Sequence, residues 1–501
     1  MQDVSRQRET VVCSLGITLI IGLLVLRGFL QESLWLDETI TAWVTSESLS
    51  EAFGRAQQYQ GQSPLYYVLL WCWTQVFGVS ELALRAPSLL LVLAALAVCF
   101  VWLRRKVGLL PAALAVVVLL AIDPLILALS ARPYAAGLFS IVMSLFCFDR
   151  GLEENNPRQL WKGAAWLALG CYFHFLFAFA GILVLLRAGP SLKRVLLPLT
   201  LAGVFCLPLL PQFFSLAARH DSLLFVDPPS FREGLSVLFP MPLLVQLLMA
   251  MGAVLILSGS KNPLKHGDPR ETLSSCRWVI GWWLLPTVFL WLCAHWGVGA
   301  FVDRYVIYTF PAVAVLVALA AERWLSKRSQ LTLFCAFTLL VAGRYIERTW
   351  KIEDWRGGFR ALQLGENCAR PEQQVLVYSG LVELEQQSWR ANRDMWSYLN
   401  APASVYGQGL SFIPIGLSSD FSKEISNREA VCGLILLRRS VPLQIAPFQK
   451  VPSRQGGSSS EELIVSSLKE IGLELEPISA KGEVVAVYRV SAHPVEAAEG
   501  K

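Results

Sequence analysis

The chain has 501 residues, of which 54% are apolar and 16% are charged, and its formal net charge is +5. Soluble domains are about 45–50% apolar and about 25% charged. The composition therefore excludes a purely soluble enzyme, and also a disordered, collagen-like or disulfide-dense secreted chain. The basic residues stand in short clusters beside apolar runs, which indicates membrane orientation and not a nucleic-acid-binding surface.

Charged residues divide the chain into two parts. Residues 348–501 contain 35 of them, close to the usage of soluble proteins, whereas the much longer stretch 1–347 contains 46. We therefore expect a transmembrane domain over 1–347 and an extracytoplasmic domain over 348–501. Within the first domain, residues 31–81 should form the first extracytoplasmic loop, with helices that lie in the membrane interface.

Apolar runs of about 20 residues predict membrane spans. The run 64–77 is shorter and rich in Tyr and Trp, which is typical of an interfacial helix. If it crossed the bilayer, the cluster Arg104-Arg105-Lys106 would fall outside. Without it, the sequence predicts eleven spans: 11–30, 82–103, 109–129, 133–148, 160–173, 175–186, 195–216, 235–257, 278–296, 305–321 and 331–345.

Charge fixes the expected orientation. With a cytoplasmic N-terminus, 18 basic residues of the membrane part face inward and eight face outward, as the positive-inside rule requires. An odd number of spans then places residues 348–501 outside, in an integral protein of a bacterial inner membrane. All eight outer basic residues are arginines, which suit either interfacial anchoring or bidentate binding of phosphate and carboxylate.

The C-terminal part is predicted to be a small α/β domain. Strands are expected at 374–379, 431–437, 473–478 and 483–490, and helices at 382–399 and 461–471. Cys368 and Cys432 are its only cysteines, and in an oxidising compartment they could pair. The sequence has no P-loop, no Gly-x-Gly-x-x-Gly and no Gly-x-Ser-x-Gly.

Polar residues gather at the outer ends of the predicted spans. Asp37 and Glu38 follow the first span directly, where charge is costly unless it is solvated or functional. Taken singly, these residues have plainer explanations: a solvated loop, a structural histidine or an exposed ion pair. Their convergence on one side of the membrane favours a functional site. Three further groups lie on that side: Arg132 to Tyr134, His174, and Asp303 to Tyr305.

A carboxylate and several arginines, without a nucleotide fingerprint, fit the transfer of a sugar from a polyprenyl phosphate. Arginines can hold the leaving phosphate and stabilise its developing charge. A carboxylate can take the proton of the acceptor hydroxyl. A single base and direct displacement invert the anomeric centre.

The order and spacing of the motifs resemble those of the GT-C membrane glycosyltransferases. The specific resemblance is to the protein O-mannosyltransferase-like superfamily, which includes glycosyltransferase family 39 and the lipid A aminoarabinose transferases. It covers residues 34–356, whereas residues 370–501 show no useful resemblance. The matching stretches are Leu34-Trp35-Leu36-Asp37-Glu38, Pro64-Leu65-Tyr66-Tyr67, Leu84-Arg85-Ala86-Pro87-Ser88, Ala131-Arg132-Pro133-Tyr134-Ala135, Tyr172-Phe173-His174-Phe175, Arg304-Tyr305 and Asp354-Trp355-Arg356.

The resemblance implies a polytopic α-helical protein of GT-C type with a polyprenyl-phosphate sugar donor. The acceptor would be a lipid, a polysaccharide or a protein, and no nucleic acid is involved. Asp37 would be the general base, and Glu38 would orient the acceptor or support Asp37. The donor phosphate would be held by Arg132, Arg304, Tyr305 and, less directly, Arg85. The acceptor cavity would be lined by His174, Tyr66, Tyr134 and Asp303.

Two positions depart from the pattern of the relatives. Gln62-Ser63-Pro64 replaces a frequent His-Pro-Pro, and Ser130 stands where an acidic residue often occurs. Both changes remove potential metal ligands or acceptor contacts, so we expect no cofactor and keep a divalent metal only as an alternative. Asp123, in an Ile-Asp-Pro stretch, either replaces the missing acid or is a capped or water-bonded residue, which we favour.

Three other functions stay open. A transporter or flippase for lipid-linked sugars would also have many spans, but internal repeats and polar groups at the midplane are typical of transporters. A polysaccharide ligase or polymerase is not expected to carry an acidic pair directly after its first span. A non-catalytic relative that only binds glycolipid is consistent with the two departures.

Overall fold

A computed structural model gives the fold of the protein. It describes residues 2–26, 29–60, 62–218, 228–257, 269–296, 301–347, 353–364, 368, 372–425, 427–438, 459–479 and 483–492. The chain forms two compact units. The helical unit comprises Met1–Leu30, Phe53–Gly78 and Leu82–Trp350, and the sheet unit comprises Gln31–Ala52, Val79–Glu81 and Lys351–Lys501.

The division differs from the expected one in the first loop. The sequence-based boundary placed all of 31–81 with the spans. In the structure, residues 31–52 and 79–81 group with residues 351–501, and only 53–78 groups with the spans. Side chains beyond residue 350 bind the backbone of residues 31–36, for example Glu353 at Leu36, which accounts for the grouping.

Helices make up most of the described part of the helical unit. One precedes residue 31, three begin or end in the 31–81 region, and the rest follow in chain order. The helix bounds are Gln2–Leu26, Leu49–Tyr59, Leu65–Phe77, Glu81–Val107, Leu109–Leu120, Asp123–Leu127, Tyr134–Glu153, Pro157–Phe173, Ala180–Ala188, Lys193–Cys206, Leu210–Ala218, Phe231–Leu238, Met241–Leu257, Pro269–His295, Phe310–Trp324 and Lys327–Glu347.

Seven helical stretches in the described parts of the chain are long and apolar enough to cross a membrane. The pair Phe231–Leu238 and Pro242–Ile256, bent by 47°, makes an eighth candidate. These stretches coincide with eight of the predicted spans. The other three predicted spans coincide with shorter helices: Leu109–Leu120 with Asp123–Leu127, Pro157–Phe173, and Ala180–Ala188.

The helix Leu109–Leu120 illustrates why an apolar run need not face lipid. Its side chains from Leu110 to Leu120 are all buried, and it packs against Phe310–Trp324 and Lys327–Glu347. A helix that is apolar on every side is an interior helix. The predicted interfacial segment 64–77 is a separate helix of 13 residues, Leu65–Phe77, which is shorter than a span requires.

The sheet unit contains five strands: β1 Gln374–Tyr378, β2 Ser411–Pro414, β3 Val431–Leu437, β4 Leu473–Pro477 and β5 Val485–Ala492. They form one sheet with the order β2-β1-β3-β5-β4. β1 pairs in parallel with β2 and β3, and β5 pairs antiparallel with β3 and β4. Four strands fall where the sequence predicts them, and β2 is an addition.

Helices cover this sheet and build its core. Trp355 and Phe359, from one of them, pack with Val375 and Val487, and Cys368 and Cys432 form a disulfide. The predicted helix over 382–399 is broken into short pieces, because the Asn392 side chain accepts the backbone N–H of Asp394 in competition with helical bonding. The α-helices are Leu36–Val44, Trp355–Leu364, Gln387–Ala391, Trp396–Leu399, Ala401–Tyr406, Phe421–Glu424 and Ser460–Glu470.

Candidate functional site

The residues predicted to form the site are divided between the two units. Asp37 and Glu38 belong to the sheet unit. The predicted residues of each unit are therefore described separately. The remaining predicted residues belong to the helical unit: Tyr66, Arg85, Arg132, Tyr134, His174, Asp303, Arg304 and Tyr305.

Five predicted side chains of the helical unit come together as an arginine–histidine cluster, defined as Arg132, Tyr134, His174, Arg304 and Tyr305. The ring centroid of His174 lies 5.0 Å from that of Tyr305 and 5.9 Å from that of Tyr134. The two tyrosine centroids are 6.3 Å apart. The guanidinium carbon of Arg304 lies 5.7 Å from the Tyr305 centroid. Side chains that lie between positions 132 and 305 of the sequence thus form one compact group.

Interruptions of the helices place these side chains. Arg132 precedes Pro133, whose φ of −69° suits the start of the helix Tyr134–Glu153. His174 ends a helix in an extended conformation, with φ −157° and ψ 124°. Arg304 lies in the 3₁₀ turn Asp303–Tyr305. Because these positions stand at element ends, their side chains can converge without interrupting a packed helical face.

His174 is a neutral ring that accepts a hydrogen bond at Nδ1 and can donate one from Nε2. Its Nδ1 atom accepts the backbone N–H of Leu176 at 3.3 Å, so the ring proton is on Nε2. The residue lies between two helices, outside the spans and 4% exposed. Burial, followed by the charges of Arg132 and Arg304, lowers the pKa of His174 to about 3. The ring is therefore neutral near neutral pH.

Arg132 is held by the segment that precedes the helix Leu65–Phe77. A guanidinium nitrogen of Arg132 donates to Oε1 of Gln60 at 3.0 Å, and the Tyr67 hydroxyl donates to the same oxygen at 2.8 Å. Gln212 donates to the backbone oxygen of Gln62 at 2.7 Å. Gln60 is uncharged, so it orients the guanidinium without cancelling its charge.

Two buried polar atoms belong to the same region. The hydroxyl of Tyr134 and the Oδ2 atom of Asp303 have no hydrogen-bond partner among the described residues. The Oδ1 atom of Asp303 accepts the backbone N–H of Arg304 at 2.7 Å. Buried polar atoms in proteins are nearly always satisfied, so these two atoms are candidates for contact with a bound ligand.

The chemistry of the cluster favours an anionic ligand. Arg132 and Arg304 are 7% and 8% exposed, and both act electrostatically on His174. Charge-assisted hydrogen bonds from arginine to phosphate are strong, and the low dielectric of a buried site strengthens them further. The cluster can therefore bind a phosphate and stabilise charge that develops on it.

In the sheet unit, Asp37 and Glu38 occupy the first turn of the helix Leu36–Val44. Glu38 is fully buried, and its Oε2 atom accepts the backbone N–H of Trp35 at 3.2 Å. Asp37 is only partly buried, and its backbone oxygen accepts the hydroxyl of Thr41 at 3.1 Å. The geometry suits Glu38 as a support of the turn and leaves Asp37 as the more accessible carboxylate.

A third carboxyl group, that of Glu353, lies against this turn. Its Oε2 atom accepts the backbone N–H of Leu36 at 2.7 Å and the indole N–H of Trp355 at 2.6 Å. Burial raises the pKa of Glu353 to about 7, against the two hydrogen bonds and with help from the charges of Asp37 and Glu38.

Two predicted residues have other contacts. Arg85 is fully buried, donates to the backbone oxygen of Phe29 at 2.6 Å and lies over the Phe29 ring, 4.8 Å from its centroid. These contacts fit an anchor at the end of the first span better than a phosphate ligand. Tyr66 is buried, with its ring centroid 5.4 Å from that of Tyr67.

Asp123 and Ser130, the two positions discussed above in relation to a missing acidic residue, each have a partner within the helical unit. Asp123 forms an ion pair with Arg344, which also donates to the backbone oxygen of Ala121 at 3.1 Å. The sequence did not predict this partner of Asp123. The backbone oxygen of Ser130 accepts the hydroxyl of Ser88 at 2.7 Å. Within the described ranges, no three His, Cys, Asp or Glu side chains are grouped as a metal site requires.

Sequence reasoning missed three residues of these sites. Tyr67 adjoins the predicted Tyr66, and Glu353 immediately precedes the Asp354-Trp355-Arg356 motif, so both stood beside a usable signal. Gln60 had no such signal, because the sequence alone does not distinguish a functional glutamine in a polar loop from a glutamine exposed to solvent.

Residues 61–213 match the family model described as dolichyl-phosphate-mannose-protein mannosyltransferase. This stretch includes Arg132 and His174, whereas Asp37 and Arg304 lie outside it. No curated protein matches the chain in sequence.

Two solved structures share the fold over nearly the whole of both chains. The crystal structure of ArnT from Cupriavidus metallidurans bound to undecaprenyl phosphate aligns with a TM-score of 0.53 and 12% identity, covering 95% of this chain and 97% of that chain. The apo crystal structure of ArnT from the same organism aligns with a TM-score of 0.55 and 11% identity, with the same coverage. At these identities the likeness concerns the fold.

Proposed function

We propose that this chain is a membrane glycosyltransferase of GT-C type, and that it is an inverting transferase that uses a polyprenyl-phosphate sugar. The GT-C fold and the C-terminal α/β domain are confirmed. Helices that are long and apolar enough to cross a membrane support an integral membrane location. The donor, the acceptor and the orientation form the proposal. The acceptor is a lipid, polysaccharide or protein hydroxyl on the extracytoplasmic face.

The arginine–histidine cluster carries the proposal. Two buried arginines, Arg132 and Arg304, act electrostatically on His174, and arginines can hold a leaving phosphate and stabilise its charge. A lipid-linked donor is supported by ArnT, which has the same fold and was crystallised with undecaprenyl phosphate. The absence of a nucleotide fingerprint in the sequence agrees with a donor that carries no nucleotide.

In the proposed reaction, the acceptor oxygen attacks the anomeric carbon while the bond from that carbon to the phosphate oxygen breaks. Asp37 takes the acceptor proton, and the electron pair of the broken bond stays on the phosphate. Arg132 and Arg304 stabilise that charge, and Tyr305 lies beside it. His174 contributes its Nε2–H as a donor, and Tyr134 and Asp303 line the cavity. One displacement inverts the anomeric configuration.

Orientation follows from charge and redox chemistry. The excess of basic residues on one side predicts a cytoplasmic N-terminus in a bacterial inner membrane. The disulfide between Cys368 and Cys432 suits an extracytoplasmic sheet unit, because reducing compartments keep thiols free.

Direct binding tests the phosphate site. Purified protein in nanodiscs would be titrated with undecaprenyl phosphate, comparing the wild type with Arg132→Gln and Arg304→Gln. Each variant should bind about 10- to 100-fold more weakly, because a charge-assisted hydrogen bond is lost. Arg150→Gln is the control, since Arg150 forms an ion pair with Glu154 on the surface and should not matter. Unchanged affinity in both cluster variants would refute the site.

A further inference from the structure

The segment that leads to Asp37 is held by side chains from the far end of the chain. We define residues 31–38 as the acidic loop. The hydroxyl of Tyr406 accepts the backbone N–H of Leu34 at 2.8 Å, and Oε2 of Glu353 accepts the backbone N–H of Leu36 at 2.7 Å. Two alternate amides of the loop therefore depend on acceptors more than 300 positions away in sequence.

Arg356 reinforces this arrangement. Its guanidinium donates to the backbone oxygen of Gln31 at 3.1 Å and to Glu81 at 2.8 Å, and its backbone N–H donates to the Ser33 hydroxyl at 3.2 Å. The Tyr406 hydroxyl donates to the same Glu81 oxygen at 3.1 Å. Arg356, Glu81 and Tyr406 thus form one network along residues 31–34 of the loop, and Glu353 binds Leu36 beyond it.

The contact of Glu353 is the one nearest to the proposed base. The helix Leu36–Val44 begins after Trp35, whose indole offers no acceptor for a backbone N–H of the first turn. Glu353 supplies an acceptor for one such group, the N–H of Leu36. The indole N–H of Trp355 donates to the same oxygen, which fixes the carboxylate. The side chain is 5% exposed, so water does not compete for these bonds.

We propose that Glu353 is a positioning residue of the transferase: it fixes the first turn of the helix Leu36–Val44 and thereby the carboxylate of Asp37. This inference rests on the proposed function, in which Asp37 is the base. Leu36 and Asp37 are adjacent, so a displaced Leu36 amide displaces the base. A shift of about 1 Å in a catalytic group can cost about 100-fold in rate. Residues 351–501 then have a defined role, because they hold the base in place.

Three variants of the full-length protein separate positioning from general stability. Glu353→Ala removes the acceptor, and Glu353→Gln keeps an amide oxygen that can accept both hydrogen bonds. Glu461→Ala is the matched control, because Glu461 is a half-buried carboxylate of the same unit that pairs with Arg438 at 2.7 Å. We expect Glu353→Ala to lower kcat about 10- to 100-fold with an unchanged donor KM. Glu353→Gln should restore most of kcat, and Glu461→Ala should retain it.

Hydrogen exchange supplies a readout that does not depend on turnover. Peptides covering residues 33–40 should exchange faster in Glu353→Ala than in the wild type, Glu353→Gln or Glu461→Ala. Wild-type kcat in Glu353→Ala, or an equal loss of kcat in Glu461→Ala, overturns the positioning role while the proposed function stands. Unchanged exchange over 33–40 also overturns it. A wild type that turns over no donor refutes the proposed function, and the role of Glu353 in it falls as well.

Discussion

Gln60 and Arg132 are joined by a hydrogen bond of 3.0 Å from the guanidinium to the amide oxygen, and Tyr67 donates to the same oxygen. The orienting partner is thus an uncharged side chain. Gln60→Glu keeps an acceptor for both bonds but adds a negative charge against Arg132. It should weaken undecaprenyl phosphate binding by at least about tenfold, because the added charge offsets the attraction of the arginine.

Gln60→Leu separates charge from hydrogen bonding in this position. It removes the acceptor without adding charge, and its effect on affinity should be smaller than that of Gln60→Glu. Both variants would be titrated in nanodiscs and melted to verify folding. Equal affinities of Gln60→Glu and the wild type would show that Arg132 does not contact the phosphate.

Features that depend on residues close together in sequence were predicted, whereas features that depend on residues far apart in sequence were not. Strands such as Val431–Leu437 and long helices such as Glu81–Val107 were predictable, because hydrophobic runs and turn residues act locally. The grouping of residues 31–52 with 351–501 was not, because it depends on hydrogen bonds such as that of Glu353 to Leu36, which join positions 317 apart. Local pattern carries no information about such a partner.

The site shows the same distinction. The convergence of Arg132, His174 and Arg304 was expected, because a common membrane face restricts where the three can lie. The pairing of Asp123 with Arg344 was missed, since nothing near either residue in sequence indicates the other. The roles of all these side chains in transfer stay predictions.

Glu353 makes stability depend on pH. Its pKa is raised from 4.5 to about 7, so between these values the folded protein binds a proton that the unfolded chain has released. The free energy of unfolding therefore falls as pH rises through this window. Glu353→Gln does not titrate, so its stability relative to the wild type should be greater at pH 8 than at pH 5. Thermal melting at both pH values measures this, and a difference that does not change with pH would contradict it.

His174 should act as a donor and not as a base. Its pKa near 3 keeps the ring neutral at working pH, and its Nε2–H can be mimicked by the amide of glutamine. His174→Gln should retain most of the activity, whereas His174→Phe should lose about tenfold or more. The pH profile of kcat should keep its shape in His174→Gln. Equal loss in both variants, with a changed acidic limb, would instead indicate proton transfer by His174.

The disulfide allows two tests, one of the stability of the sheet unit and one of the side of the membrane on which this unit lies. Cys368 and Cys432 close a loop with a sequence separation of 64 residues, and replacing both by alanine should lower the free energy of unfolding of the sheet unit by about 2–4 kcal/mol.

Non-reducing peptide mapping of intact cells should find the two cysteines joined. If both thiols were free and alkylated, an extracytoplasmic sheet unit would be contradicted.

Donor turnover in proteoliposomes tests the central claim most directly. Wild type and Asp37→Asn would receive a panel of polyprenyl-phosphate sugars with a crude membrane acceptor extract, and release of polyprenyl phosphate would be followed. The account predicts release by the wild type and no release by a folded Asp37→Asn. Normal release by Asp37→Asn, or lipid-linked sugar that crosses the bilayer unconsumed, would contradict it.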